Sequence, residues 1–449
     1  MKFRHLLLTL IVVALSAFLA GCNKIDWKDV HKDNKGSNGG LGVFGEKADL
    51  ATDWYKLQVK IITYSSPQYG NPVGIRLFAY EGISLYESLQ PGMPYTVSLS
   101  ESVYQMPSMP QPDKNKAYSW QIAANTALAY MTRNMLPALT AANKVSIDSL
   151  ENAYNDKLKP NANSEVSARS KAFGQSIAET IFNWSKSDKF DQANAAYTPP
   201  VFPGSWQPTP VAKLPAAVPY MKNCRPFFGG HTSGVAPAFP ISYSEVVGSD
   251  FYKMEKDMYD VNKSLTSEQK AIALYWNDLG TGIGVSPPGH GINIITQIVN
   301  NEHLNLGLAT MAYAKCGMGL WDGFIMVFRS KYEYNLLRPV TYIQKVIDPA
   351  WLPFINTPNH PEYPAAHAYV TSAAMAAAAS AIGNNHTLTD HTYDFVGYSP
   401  RTFTSLLAVG EESGLSRYYG GIHYPISINT GVQLGQKTGY EVGSLKMFK

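Results

Sequence analysis

Apolar residues return at every third or fourth position in segment after segment of this chain, and few runs alternate with the period of two that a half-buried strand needs. Over residues 48–62 the recurring positions are Leu50, Trp54, Leu57 and Ile61, and over 72–89 they are Ile75, Phe78, Leu85 and Leu89. The same reasoning predicts helices over 120–135, 146–158, 164–184, 250–261 and 266–278. After a break at Pro287-Pro288-Gly289 it predicts a strongly helical stretch over 292–328, at most kinked, then helices over 368–382, 401–418 and 425–446. The last carries a stripe of small residues at Gly431, Gly435, Thr438 and Gly439 that lets helices approach closely. Residues 185–249 read as a long irregular stretch, and segments of that length are usually functional or draped over a core. No solenoid-type repeat is visible. The fold class is therefore all-α, one large domain of packed helical bundles over 48–449, with a division into two subdomains near the irregular stretch left open.

The N-terminus reads as a processing signal. Lys2, Arg4 and His5 precede an apolar run beginning at Leu6, which ends in Leu19-Ala20-Gly21-Cys22. That run is short for a bilayer span. Residues 23–47 are mostly polar and glycine-rich and cannot bury enough apolar surface to fold, which suits a flexible tether over 22–47. Cys224 and Cys316 lie far apart and outside any C-x-x-C pair, so neither a zinc cluster nor a disulfide framework follows, and a single bridge between them is left open. With 45% hydrophobic and 16% charged residues the chain can build a sizeable core. Its net charge of +3 comes from scattered Lys and Arg, without the basic patches that nucleic-acid binding needs.

Three segments in the last third carry the chemistry. The first runs from Lys331 to Arg338-Pro339; its two cations, seven residues apart, would share one helix face about 10 Å apart along the axis. The second is Pro361-Glu362-Tyr363-Pro364-Ala365-Ala366-His367. Pro364 can open a helix, leaving Ala365, Ala366 and His367 in a first turn whose N–H groups attract anions. The third runs from Ser416-Arg417 through Gly420-Gly421 to His423, where the glycines let Arg417 and His423 converge. Together they offer three cations, two histidines and a helix start. Positioning and electrostatic stabilisation of an oxyanion need little more. One histidine could attack in line or ligate a metal oxyanion axially, and the other could act as acid–base.

These segments resemble the K-x6-RP, PSGH and SR-x5-H motifs of the superfamily that joins vanadium-dependent haloperoxidases with type 2 phosphatidic acid phosphatases and bacterial acid phosphatases. Trp276-Asn-Asp278-Leu-Gly280, Ser286-Pro-Pro-Gly-His290, Trp321-Asp322 and Glu411-Glu-Ser-Gly-Leu415 resemble the context of its bacterial haloperoxidase-like members, with the catalytic part at about 276–440. The resemblance implies helical bundles and a vanadate cofactor, or phosphate in a phosphatase. It implies that His423 binds vanadium axially or attacks phosphorus, that His367 is the acid–base, and that Lys331, Arg338, Ala365, Ala366 and Arg417 surround the oxyanion. Its substrates would be hydrogen peroxide and a halide, or a phosphomonoester. Leu19-Ala20-Gly21-Cys22 resembles a bacterial lipoprotein cleavage box. It implies that residues 1–21 are removed, that Cys22 is lipidated, and that the protein is anchored in the cell envelope, at the outer membrane.

Three departures stand out. Ala365 replaces the family serine and Ala366 its glycine. Ser427 stands where related haloperoxidases have the aspartate that orients the axial histidine, and Asn429 could substitute for it only if the backbone brings it back. The functional reading from sequence is a haloperoxidase-like enzyme, with phosphatase as the alternative on the same site and a catalytically impaired envelope-binding lipoprotein as the third possibility.

Overall fold

The structure, a computed structural model, describes residues 42–449 except Pro67, residues 210–212, Ser233 and residues 279–283. The signal segment and Cys22 lie outside the described residues. The end of the expected tether is packed, not free: Val43 and Phe44 are buried, and Lys47 bridges to Asn305. Two apolar side chains within six residues are enough to draw that segment onto the body.

Thirteen α-helices follow among the described residues: α1 Asp49–Tyr64, α2 Asn71–Leu89, α3 Trp120–Met135, α4 Ala141–Leu158, α5 Ser164–Ser185, α6 Asp250–Lys263, α7 Ser267–Tyr275, α8 Pro287–Asn301, α9 Leu306–Tyr334, α10 Pro339–Val346, α11 Ala366–Ile382, α12 Leu406–Tyr419 and α13 Pro425–Gly443. The all-α class holds, with one small antiparallel hairpin, β1 Leu388–Asp390 and β2 Arg401–Phe403. Helix α9 is buried along most of its length. It packs against α2 on one side and α11 on the other, and α11 is in turn held against α12 and α13, while α3 packs on α2 and α5. A large hydrophobic cluster runs from Val43 to Met447, and smaller ones, around Met258 and Trp351, Phe251 and Tyr342, and Ala365 and Ile428, lie apart from it.

Several boundaries differ from the sequence reading, each for a local reason. Pro287-Pro288-Gly289 begins a helix: Ser286 Oγ accepts from Gly289 N at 3.3 Å and the prolines take the first positions, where their missing donors cost nothing. The stretch 292–328 is broken at 302–305, with His303 at φ 54°, and Asn305 caps α9 through Leu308 N. Helix α4 starts at Ala141 because Thr140 caps it, although its first turn is exposed and shows no apolar spacing. Residues 401–403 form a strand, and α10 was not foreseen.

The long irregular stretch is tied down by the Trp321-Asp322 pair of α9. Asp322 accepts from Phe227 N and Phe228 N, both at 2.8 Å, and from His231; Trp321 Nε1 donates to Arg225 O. Further along the same stretch, Ala217 N donates to Asn359 O, which ties it to the loop ahead of α11.

The small-residue stripe of α13 lies directly on α11. A methyl built on Gly431, Gly435 or Gly439 would come within 2.8, 2.2 and 2.4 Å of the carbonyl oxygens of Ala365, Tyr369 and Ala373. Gly435→Ala is therefore expected to force the two helices apart and cost about 1–3 kcal/mol or more, read as a lowered denaturation midpoint with an unchanged slope. Wild-type stability in that variant would show that the contact is looser than described.

Candidate active site

The three segments meet. Lys331 and Arg338 are fully buried, and Arg417 is 1% and His423 2% exposed. The expected two-turn helical spacing of the first pair is not what aligns them. Helix α9 ends at Tyr334, and Asn335 takes a left-handed conformation at φ 46° as its cap. Arg338 then stands as the extended residue before α10, because the following proline disfavours helical backbone there. Lys331 Nζ donates to Pro361 O and Glu362 O, both at 2.8 Å. Arg338 donates to His360 O at 2.8 Å and Ile422 O at 2.9 Å, and its Nη atoms lie 3.0 Å from His423 Nε2 and His360 Nδ1. It thus binds together the segment before α11 and the turn before α13.

The second segment begins its helix later than expected. The Tyr363–Pro364 bond is cis, Ala365 is the cap residue and α11 starts at Ala366. The Ala365 N–H donates to Ser427 O at 3.2 Å, and its methyl packs with Ala368 and Ile428. The donor expected there is therefore already used. Ala366 and His367 open the helix and line a cavity.

Glu362, inside the same segment, does what the missing aspartate would have done. It is fully buried, and its Oε1 accepts from His423 Nδ1 at 2.8 Å and from Tyr424 N at 3.1 Å. A carboxylate at Nδ1 fixes the imidazole with its lone pair on Nε2. Asn429 has no part in this, and Ser427, which stands in place of the aspartate, is a buried neighbour of Glu362. Burial pushes Glu362 up to about 7, against the pull of Lys331 and Arg338. The sequence carried this residue in plain view. That its carboxylate meets His423 beside Ser427 becomes visible only in the fold.

On the other side, Arg417 donates to Trp276 O, and its Nε to Ser416 Oγ at 3.1 Å. His367 Nε2 lies 3.8 Å from Asp278 Oδ2, and neither atom has a hydrogen-bond partner among the described residues. Asp278 Oδ1 accepts from Tyr393 OH and faces His290 Nδ1 at 3.3 Å, while His290 Nε2 lies 2.7 Å from Asp390. His290 also stacks on Trp276, with centroids 4.3 Å apart. Trp276, Asp278 and His290, from the two sequence motifs, thus supply the support behind His367.

The electrostatics follow from burial. Burial lowers Arg338 and Arg417 to about 10, so both stay charged at neutral pH, and it lowers Lys331 well below the ordinary lysine range. Burial, then Arg417, His290, Lys331 and Arg338, push His367 well down, and burial with Arg338 and Lys331 does the same to His423. Both imidazoles are neutral. The site is a buried, net positive pocket with neutral histidines on two sides, arranged to hold an anion. Among the described residues no group of three or more His, Cys, Asp or Glu is arranged to hold a metal cation. Cys224 and Cys316 are free, buried thiols and take no part.

Residues 311–447 match the family described as the VCPO second helical-bundle domain. A bacterial vanadium-dependent iodoperoxidase superimposes with a TM-score of 0.81 at 28% identity, over 90% of this chain and 98% of that one. The holo form of a bacterial vanadium-dependent chloroperoxidase gives 0.64 at 16% identity, over 86% of this chain and 95% of that one, a likeness of fold alone. No curated protein matches the sequence. Residues 311–447 thus match that second helical-bundle domain, and the chain shares the helical fold of the bacterial vanadium haloperoxidases.

The His290 network gives a pH signature. Burial opposes its charge, but Asp390 and Asp278 hold its pKa at about 10, above the ~6.5 of an unfolded histidine. Its contribution to stability is thus complete below about 6.5 and is lost as pH rises through about 10. Thermal midpoints measured across that window should fall with pH in the wild type, and His290→Gln should flatten the fall. An identical slope in both would remove His290 from the account.

Proposed function

We propose that this protein is a haloperoxidase that binds vanadate in this pocket and oxidises a halide with hydrogen peroxide. The observation that carries the reading is the unbroken line Arg338–His423–Glu362. It is a buried histidine held by a carboxylate on one nitrogen, with its other nitrogen turned into a cationic pocket. The residues suit the oxyanion. Lys331, Arg338 and Arg417 would hold its oxygens and His423 Nε2 would ligate it. The unpartnered Nε2 of His367 marks the side from which a proton could be exchanged. Vanadate, when bound, supplies the Lewis-acidic centre at which hydrogen peroxide becomes able to oxidise a halide by two electrons.

This chain's own residues do the rest. Glu362 orients His423 and balances part of the charge. The buried cations hold the anion without reorganising, which is where preorganised sites gain most. His367, kept neutral by burial and its cationic neighbours, accepts a proton from peroxide at Nε2, and Asp278 beside it stabilises the imidazolium formed. Iodide is the first halide to test, being the one named for the 28% identical structure. Phosphomonoester hydrolysis should be assayed beside it, since the same cradle accepts phosphate with His423 Nε2 as the nucleophile. The Leu19-Ala20-Gly21-Cys22 box supports lipidation of Cys22 and an outer-membrane anchor. Mass spectrometry of the mature N-terminus, compared with Cys22→Ala, decides that part.

Vanadate titration of the mature protein is expected to saturate in the wild type and to fail in His423→Ala, while His367→Ala keeps much of the binding and loses iodide oxidation. Equal turnover in His367→Ala and wild type would remove that histidine from the mechanism. Glu362→Gln should weaken vanadate binding by about one to two orders of magnitude, as removal of a carboxylate behind a ligating histidine commonly does. Adding Ser427→Asp to Glu362→Gln should recover part of it, because the two positions are neighbours around His423. Unaltered affinity in Glu362→Gln would mean that His423 needs no carboxylate.

A further inference from the structure

Behind His367 lies a second histidine with a charge of its own. His290, in the first turn of α8, is fully buried. Both of its ring nitrogens face carboxylate oxygens: Nε2 lies 2.7 Å from Asp390 Oδ2 and Nδ1 lies 3.3 Å from Asp278 Oδ1. A neutral imidazole has one N–H and can donate to only one of them, whereas the imidazolium donates to both. The ring also lies over Trp276, with centroids 4.3 Å apart and planes 22° from parallel, and the face of an indole favours a cation. Asp390 is fixed in turn by Gln297 Nε2 at 2.9 Å and Thr392 N at 3.0 Å. Against burial, His290, Thr392 and Gln297 hold its carboxyl well below the usual carboxylate range. The titratable groups that face His290 are Tyr275 at the end of α7, Asp278 just beyond it, Asp390 and Tyr393 from β1 and the turn after it, and His367 from α11. Burial pushes both phenols up, so the charges His290 meets in this group are the two carboxylates.

The consequence falls on His367. A carboxylate 3.8 Å from an imidazole favours the protonated ring. His367 is pushed the other way, by burial first and then by Arg417, His290, Lys331 and Arg338. Three of those four cations form the anion cradle, and their effect on His367 is offset once they hold an anion. His290 is not part of the cradle. It meets Asp278 at Oδ1, while His367 lies at Oδ2, so its charge persists whatever the cradle holds. We propose that His290 is a positioning residue: held as an imidazolium between Asp390 and Asp278, it keeps a fixed positive charge behind the Asp278 carboxylate, and that charge leaves His367 unprotonated and free to take a proton from hydrogen peroxide. This rests on the haloperoxidase reading, in which His367 is the acid–base.

The test reads the histidine rings directly. In the mature protein without vanadate, nitrogen NMR of labelled imidazoles should show both nitrogens of His290 protonated at neutral pH. A neutral His290 in the wild type would overturn the proposal, and that measurement needs no variant to fold. His290→Gln should raise the pH at which His367 takes up a proton. Tyr275→Phe, which keeps the ring beside His290 and every charge, should leave that pH where it is. In the vanadate-loaded protein the acid side of the kcat/KM profile for hydrogen peroxide should move to higher pH in His290→Gln, whereas a merely structural defect would lower turnover at every pH alike. An unmoved His367 titration in folded His290→Gln, or an equal shift in Tyr275→Phe, would overturn the proposal. If the titrations behave as expected in a protein that oxidises no iodide, the coupling of His290 to His367 stands and the haloperoxidase reading falls, since the NMR arm needs neither vanadate nor halide.

Discussion

A guanidinium taken fully out of water must be hydrogen-bonded on nearly every side, or it costs several kcal/mol. Arg338 meets that requirement with the carbonyls of His360 and Ile422 and the rings of His360 and His423. Those partners belong to two separate stretches of chain, one leading into α11 and one into α13. Satisfying one side chain therefore fixes the end of α9, the segment from His360 to Ala365 and the turn at Ile422–His423 in a single arrangement. The glycine contacts between α11 and α13 hold the same two segments together from behind.

The arrangement leaves a surplus of positive charge. Lys331, Arg338 and Arg417 are buried close together, and the carboxylates that act on them are Glu362 and Asp278. Lys331 uses its ammonium on two backbone carbonyls, which orients it without neutralising it. A bound oxyanion would supply the missing charge. Burial, reinforced by the same surplus, keeps both histidines neutral, so their behaviour is set by one buried electrostatic environment.

Helix spacing, capping residues and the order of the three segments were legible in the sequence, because each is written in local chemistry. The helices at 120–135 and 164–185 and the small-residue face of α13 fall in this class. What was not legible depended on distance in space. The alignment of Lys331 with Arg338 comes from a left-handed cap at Asn335, where the helix was expected to run on as far as Arg338. Ala365 could be seen to replace a serine, but not that its N–H goes to Ser427 O. Glu362 could be read in its segment, but its meeting with His423 Nδ1 required the fold, and so did the placing of Asp278 beside His367.

The central claim is that a single oxyanion would be held by Lys331, Arg338 and Arg417 and ligated by His423 Nε2. A crystal structure of the protein soaked in vanadate, with the metal located by its anomalous scattering, tests this most directly. The account requires vanadium within bonding distance of His423 Nε2 and its oxygens against the three cations. Vanadium bound elsewhere, or absent from this pocket at saturating vanadate, would contradict it.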